Sequence, residues 1–206
     1  MPLINDIERQ QIADQIAEVE RSTDAELVTV LCARSDDYRY IPVLWAALLA
    51  LGVPTLGLFT AYPGDVIAVA QLAVFCVLAL LLRVPALGIR LIPRRVRHWR
   101  AANMARRMFL EQGLHHTDGD TGILIFVSEV EHYVEILADR GIDRHVAPER
   151  WRAVVDDFVM AMKSGRTLAG FERTIAEVGE ILREAVPKTA GNRNELDDRL
   201  ILIGYD

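Results

Sequence analysis

The chain switches between two hydrophobic patterns, and the change is abrupt. Ile12, Ile16 and Val19 recur at helical spacing, with Ile4 and Ile7 extending the stripe, so residues 5–21 read as an amphipathic helix. Asn5, with Glu8 three residues on, supplies a capping-box start. Residues 26–33, ELVTVLCA, form an unbroken β-branched and apolar run, as expected of a strand buried on both faces. A polar stretch, RSDDYRY, follows. Residues 41–62 then carry no charge over 22 positions. At about 1.5 Å per residue that length crosses a hydrocarbon core of roughly 30 Å. Pro63-Gly64-Asp65 makes a tight turn, and residues 66–82 form a second uncharged run of 17 positions. This is short for a span, but Arg83 can snorkel and VPALGI prolongs the apolar run. Tyr38, Tyr40, Trp45 and Tyr62 fall near the ends of these runs, where aromatic rings favour a membrane–water interface. Residues 41–83 therefore read as a transmembrane helical hairpin.

Beyond it the globular pattern resumes. A basic juxtamembrane segment, 84–98, leads to a helix over 99–114 with Trp99, Ala102, Ala105, Met108 and Phe109 along one face. HHTDGDTG is a loop. Residues 123–128 and 132–138 are two strands joined by the turn EVE, expected to be antiparallel, and DRGID is a further loop. Pro148 opens a helix over 148–163 whose inward face is Val154, Val155, Phe158 and Met162, and Gly165 ends it. Thr167 caps a last helix with Phe171, Ile175, Val178 and Leu182 on its face, stopped by Pro187. The tail, 188–206, is polar until LILIG at 200–204, a candidate edge strand. Residues 1–40 and 99–187 are thus two halves of one domain, with a helix between its first two strands. That crossover favours a parallel pair, and the expected fold is a small mixed-sheet α/β sandwich interrupted by the two-helix hairpin.

Charge adds orientation. Residues 1–40 carry 4 basic and 9 acidic side chains, 41–100 carry 6 and 1, and 101–206 carry 13 and 19. An acidic domain argues against a nucleic-acid partner, since phosphate backbones select Lys/Arg surfaces. Arg83, Arg90, Arg94, Arg95, Arg97 and Arg100 follow the second apolar run and Arg34 and Arg39 precede the first, whereas the turn between them offers only Asp65. The positive-inside rule then places both termini and the α/β domain in the cytoplasm of a bacterial inner-membrane protein, with no cleavable signal peptide. The partners expected are the lipid bilayer and other membrane proteins or a second copy of the chain, with Gln71 the strongly polar side chain inside a span. Cys32, in a strand, and Cys76, in a span, are expected to stay reduced.

The segments AELVTVLCARSDDY, DGDTGILIFVSEVEHYVEILADRGI and GRTLAGFERTI resemble the TPM-domain family, in particular a short bacterial membrane branch in which the hairpin interrupts the domain. The resemblance covers nearly the whole chain outside the hairpin and rests on a diffuse strand pattern. It implies an α/β fold of this kind, a phosphatase activity claimed for some members, and divalent metal near acidic loops in others. Most familiar members hold the domain outside the cytoplasm behind a signal peptide, and this chain departs from that.

One constellation follows from chain direction alone. Asp118 and Asp120 precede the second strand, and Asp139 and Asp143 follow the third. In an antiparallel pair those two ends adjoin. A parallel first strand brings Asp24 and Glu26 to the same edge, with Arg140 among them. Oxygen-rich clusters suit Ca²⁺ or Mg²⁺, and the same residues also serve as ordinary turn and loop positions. This distal edge, facing the cytosol, is where a ligand or metal is expected. His115 and His116, at a helix end, are candidates for joining it or for simple solvation. His132 belongs to the other end of the strand pair, and Asp156-Asp157 reads as helix surface charge. The sequence holds no Ser-His-Asp or Cys-His arrangement, nucleophile elbow, P-loop or GxGxxG, and Asp118-Gly-Asp120-Thr precedes its strand, unlike the DxDx(T/V) of aspartate-nucleophile phosphatases. Two functions compete: a membrane-anchored interaction or assembly module with a divalent cation, and a metal-dependent phosphatase-type hydrolase using the Asp cluster, the metal polarising a phosphoryl oxygen. A transporter is disfavoured, because two spans without intramembrane charge offer no pathway.

Overall fold

The computed structural model describes residues 4–84, 91–189 and 199–205. The chain divides into two compact units, one formed by Met1–Ser35 with His98–Asp206 and the other by Asp36–Arg97.

The first unit is a four-stranded sheet with helices on both faces. Its strands are β1 (Glu26–Cys32), β2 (Gly122–Ser128), β3 (Tyr133–Ala138) and β4 (Leu200–Ile203), in the order β3-β2-β1-β4. β1 pairs in parallel with β2, from Glu26 opposite Gly122 to Cys32 opposite Ser128, and in parallel with β4. β2 and β3 are antiparallel. The expected mixed sheet is therefore present, and LILI is an edge strand. Every residue of β1 and β2 is buried, as their continuous apolar runs require.

Alternation along the strands sorts the core into two layers. Leu27, Leu31, Ile123, Ile125 and Val127 face one side, packed by α1 (Asp6–Glu20) and by two later helices, Pro148–Lys163 and Thr167–Ala185. Val28, Val30, Cys32, Leu124 and Phe126 face the other side, against Ala101, Ala105, Met108 and Leu114. The capping box of α1 is present, Asn5 accepting from the Glu8 amide and Glu8 from the Asn5 amide. Ile7 departs from expectation and is 74% exposed. It lies five residues before Ile12, which turns it well off the Ile12–Ile16–Val19 stripe, whereas Ile4, before the helix starts, folds back into the core.

The second unit contains α2 (Tyr40–Ala50), α3 (Gly52–Gly57) and α4 (Gly64–Leu81). The first apolar run is thus two helical pieces meeting at Leu51 and ending at Gly57, five residues short of its expected limit. Gly57 lies against Ile67, so the end of α3 meets the start of α4 and the three helices form a closed hairpin. Tyr38, Ile41 and Ile92 are buried together with Val96 beside them, a small core at the hairpin's open end.

α5 (Arg94–Glu111) begins five residues earlier than the sequence suggested, because Pro93 starts it: the Pro93 carbonyl accepts from the Val96 and Arg97 amides. Its buried stripe is Ala101, Ala105 and Met108. Trp99, expected on that stripe, is 58% exposed. Ala101, Ala105 and Met108 pack on the sheet, and the indole is turned away. A short 3₁₀ turn, Leu114–His116, precedes the DGDTG loop. After β3 come a single turn, α6 (Arg140–Asp143), then α7 (Pro148–Lys163) and α8 (Thr167–Ala185). Phe158 of α7 and Phe171 of α8 meet edge to face at 4.8 Å. Thr167 is the first residue of α8, not its cap; Arg166 holds that position without a side-chain bond.

Two backbone approaches hold the start of β2 in place. A Cβ on Gly122 would fall 2.2 Å from the Leu114 carbonyl oxygen, and one on Gly141 would fall 2.3 Å from that of Gly119 and 2.5 Å from that of Asp120. Gly141→Ala must therefore push two backbone segments apart and should cost at least ~2 kcal/mol. Gly113→Ala, at a positive φ of 74° with open space around it, should cost only about 1 kcal/mol. Urea unfolding of both variants checks this, and equal midpoints would contradict it.

Candidate functional site

The parallel β1–β2 pair gives the sheet two chemically distinct ends. At the starting end, backbone bonds join the segments that the sequence expected to meet. The Glu26 amide donates to the Thr121 carbonyl at 3.2 Å, Asp139 to Gly122 at 2.9 Å, and Gly141 to Asp120 at 2.8 Å. The DGDTG loop is shaped by Gly119 and Asp120, both at positive φ (76° and 58°). Thr121 ties it down: its hydroxyl donates to the Asp118 and Asp24 carbonyls, and its amide donates to the Thr117 hydroxyl.

The six carboxylates at this end are not equivalent. Asp24 accepts from the Thr189 amide and hydroxyl, with the Lys188 ammonium 3.7 Å away. Lys188 also donates to the Glu20 and Thr23 carbonyls, so Asp24 anchors the segment after α8 to the start of β1. Glu26 is buried within the strand. Asp139 caps α6, accepting from the Arg140 amide at 2.7 Å. Asp118, Asp120 and Asp143 are exposed. Among the described residues, no three His, Cys, Asp or Glu side chains converge as a cation cage. The loops are adjacent, as chain direction implied, but the oxygens a hard cation needs do not form a preformed shell. The His115 and His116 rings meet at a tilt of 43° with centroids 3.8 Å apart, and His132 lies in the turn at the other end of the β2–β3 pair. Asp157 is paired with Arg173 at 2.5 Å, consistent with helix surface charge.

The finishing end holds a buried polar network that the sequence reading passed over as a turn. Glu131 is 2% exposed, and its two oxygens accept the Ser35 amide at 3.2 Å each and the Ser128 hydroxyl. The Ser35 and Ser128 hydroxyls are 2.9 Å apart. Beside them Tyr205, just past β4, donates to Glu129 at 2.5 Å. Burial pushes the Glu129 carboxyl up, and the Tyr205 bond pulls it back. Burial also pushes the Cys32 thiol up to about 11, helped by the Glu131 and Glu129 charges, while its bond to the Arg34 carbonyl opposes the shift. A thiol held neutral at physiological pH is a poor nucleophile, and both cysteines are free. Ser128, wholly buried and bonded to a carboxylate, cannot reach a substrate. This network secures the last residue of the first unit before the chain enters the hairpin. Its signal in the sequence was two acidic residues flanking Val130 directly after an apolar strand, where an exposed turn is the commoner reading.

Comparison with known proteins bears on the fold and the family. The NMR structure of the BA42 protein from the psychrophilic bacterium Bizionia argentinensis superposes with a TM-score of 0.60 at 15% identity, covering 98% of this chain and 96% of that one. At that identity the likeness concerns the fold. Among curated proteins nothing matches the chain. The model of the TPM domain matches residues 91–181, which run from just before α5 through β2, β3, α6 and α7 into α8. Those 91 residues, fewer than half of the 206, are similar to the TPM domain.

Proposed function

We propose that this protein is a membrane-anchored interaction or assembly module, its TPM domain tied to a bacterial inner membrane by the hairpin Tyr40–Leu81, with both termini cytoplasmic. One observation carries the reading. Two helical stretches, Tyr40–Gly57 and Gly64–Leu81, are long and apolar enough to cross a bilayer, and only 28% of the first and none of the second is buried. A core helix of a water-soluble protein is mostly buried. Here Leu44, Leu48, Leu72 and Leu80 are each at least half exposed. An uncovered apolar surface of this extent requires a lipid or protein cover. The orientation rests on the arginines that flank the hairpin's open end against the single Asp65 at its closed end.

An assembly role suits the rest of the chain. The Ser128–Glu131 couple at the finishing end is buried, and at the starting end the hydroxyl beside a carboxylate is that of Thr189, which donates to Asp24. A divalent cation at that edge would engage Asp118, Asp120 and Asp143, the exposed members. Without a preformed cage its affinity belongs in the range of weak, millimolar Ca²⁺ sites.

Membranes of expressing cells washed with alkaline carbonate should retain the full chain. A C-terminal alkaline phosphatase fusion should be inactive while a C-terminal fluorescent fusion glows. Release into the wash, or an active phosphatase, would contradict the reading. For the edge, 10 mM Ca²⁺ on a site of about 1 mM affinity adds about 1.4 kcal/mol by linkage, or roughly 3–6 °C in Tm. Asp120→Ala with Asp143→Ala should abolish the shift. A shift of equal size in the double variant, or none in the native protein, removes the cation from the account.

A further inference from the structure

We propose that the open end of the hairpin binds anionic phospholipid headgroups, with Arg83, Arg94, Arg95 and Arg97 as the cations that hold the phosphodiester. The inference rests on the membrane reading above and adds a lipid class to it.

The geometry lies within the hairpin unit. Because Gly57 meets Ile67 at the closed end, the start of α2 and the end of α4 share the opposite end. The buried Tyr38–Ile41–Ile92 cluster, with Val96 packed on it, holds the first turn of α5 to the start of α2. Arg83, two residues past α4, and Arg94 and Arg95 at the start of α5 are all exposed. Arg97 is half-buried, and its Nε is shielded from water without a hydrogen-bond partner among the described residues. A guanidinium left in that state wants an acceptor that the protein does not provide.

Charge completes the argument. No acidic residue occurs between Asp65 and Glu111, a stretch that contains eight arginines. Of the nearby carboxylates, Asp37 pairs with Arg39 at 3.1 Å and Asp36 accepts the Tyr38 amide, and no ion pair between either and the four arginines occurs among the described residues. Uncompensated arginine at the place where an apolar helix pair ends meets a headgroup layer, and guanidinium binds phosphate in bidentate fashion. A nucleic-acid polyanion would also have to approach a chain of net charge −6.

The test uses the full chain in nonionic maltoside micelles. Phosphatidylglycerol, phosphatidylcholine and inorganic phosphate are titrated separately, and retained lipid is read by native mass spectrometry. Phosphatidylglycerol should be retained and phosphatidylcholine lost. Each Arg→Gln change should weaken retention about fivefold, and Arg94→Gln, Arg95→Gln and Arg97→Gln together on the order of a hundredfold. The corresponding three Arg→Lys changes keep the charge but lose the bidentate fork, so they should bind well above the Gln triple variant and below the native chain, and a misfolded triple variant does not decide the matter. Equal retention of the two lipids, or full retention in a folded Gln variant, overturns the proposal. Competition by millimolar inorganic phosphate also overturns it, by assigning the arginines to the free ion. Flotation with pure phosphatidylcholine vesicles after a carbonate wash separates the two readings. Failure to float sinks the hairpin itself, whereas flotation without headgroup selectivity sinks only the lipid site.

Discussion

The parallel pairing of β1 with β2 is the constraint on which the rest of the first unit depends. A parallel pair cannot be closed by a tight turn and needs a long connection. Here the connection is residues 33–121, and it contains the whole hairpin unit as well as α5. Pairing must therefore recruit segments far apart in the chain, which is entropically slow to achieve. Fourteen buried positions, seven consecutive ones on each strand, offset that cost. α5 covers one face with small residues, and α1, α7 and α8 cover the other with larger ones. β3 and β4 add to a pair that already defines the register.

The same pairing decides where polar groups accumulate. Strands that start together gather the loops before β1 and β2, and the antiparallel β3 returns Asp139 to them. Glycines 122 and 141 let those loops touch backbone to backbone, leaving no room for side chains between. Strands that end together gather Ser35, Ser128 and Glu131, where burial forces the three to satisfy one another. One end is an exposed acidic edge and the other a sealed clasp. Within the clasp Ser128 and Glu131 are buried and Ser35 is half-buried.

Much of this was legible in the residues. The helix at Pro148–Lys163 follows from Pro148, its apolar stripe and Gly165, all local signals that agree with the packing. The parallel and antiparallel pairings follow from element order alone. What failed were readings that needed the third dimension. Trp99 is large and apolar, which marks it for the core, yet the buried stripe of α5 is Ala101, Ala105 and Met108, and Trp99 lies off it. Chain direction implied that the loops before β1 and β2 and after β3 adjoin, and backbone bonds join them, but spacing could not show that Asp24 is occupied by Thr189 or that Asp139 is spent on a cap. The Ser35–Ser128–Glu131 clasp joins residues 93 and 96 positions apart, and no local pattern announces such a contact.

The hairpin is a separate physical problem inserted into this domain: its helices expose the apolar groups that the domain hides, and under the membrane reading proposed above a bilayer would cover them. Native-state hydrogen exchange of the full chain in lipid nanodiscs tests the whole account at once. The amides of Val28–Leu31 and Leu124–Val127 should exchange slowest in the first unit and lose protection together as denaturant rises, since both strands open only when their pairing does. The amides of α4 should be protected independently of them, and only while lipid is present. Release of β1 together with the hairpin and ahead of β2, or full protection of α4 in lipid-free and detergent-free buffer, would contradict it.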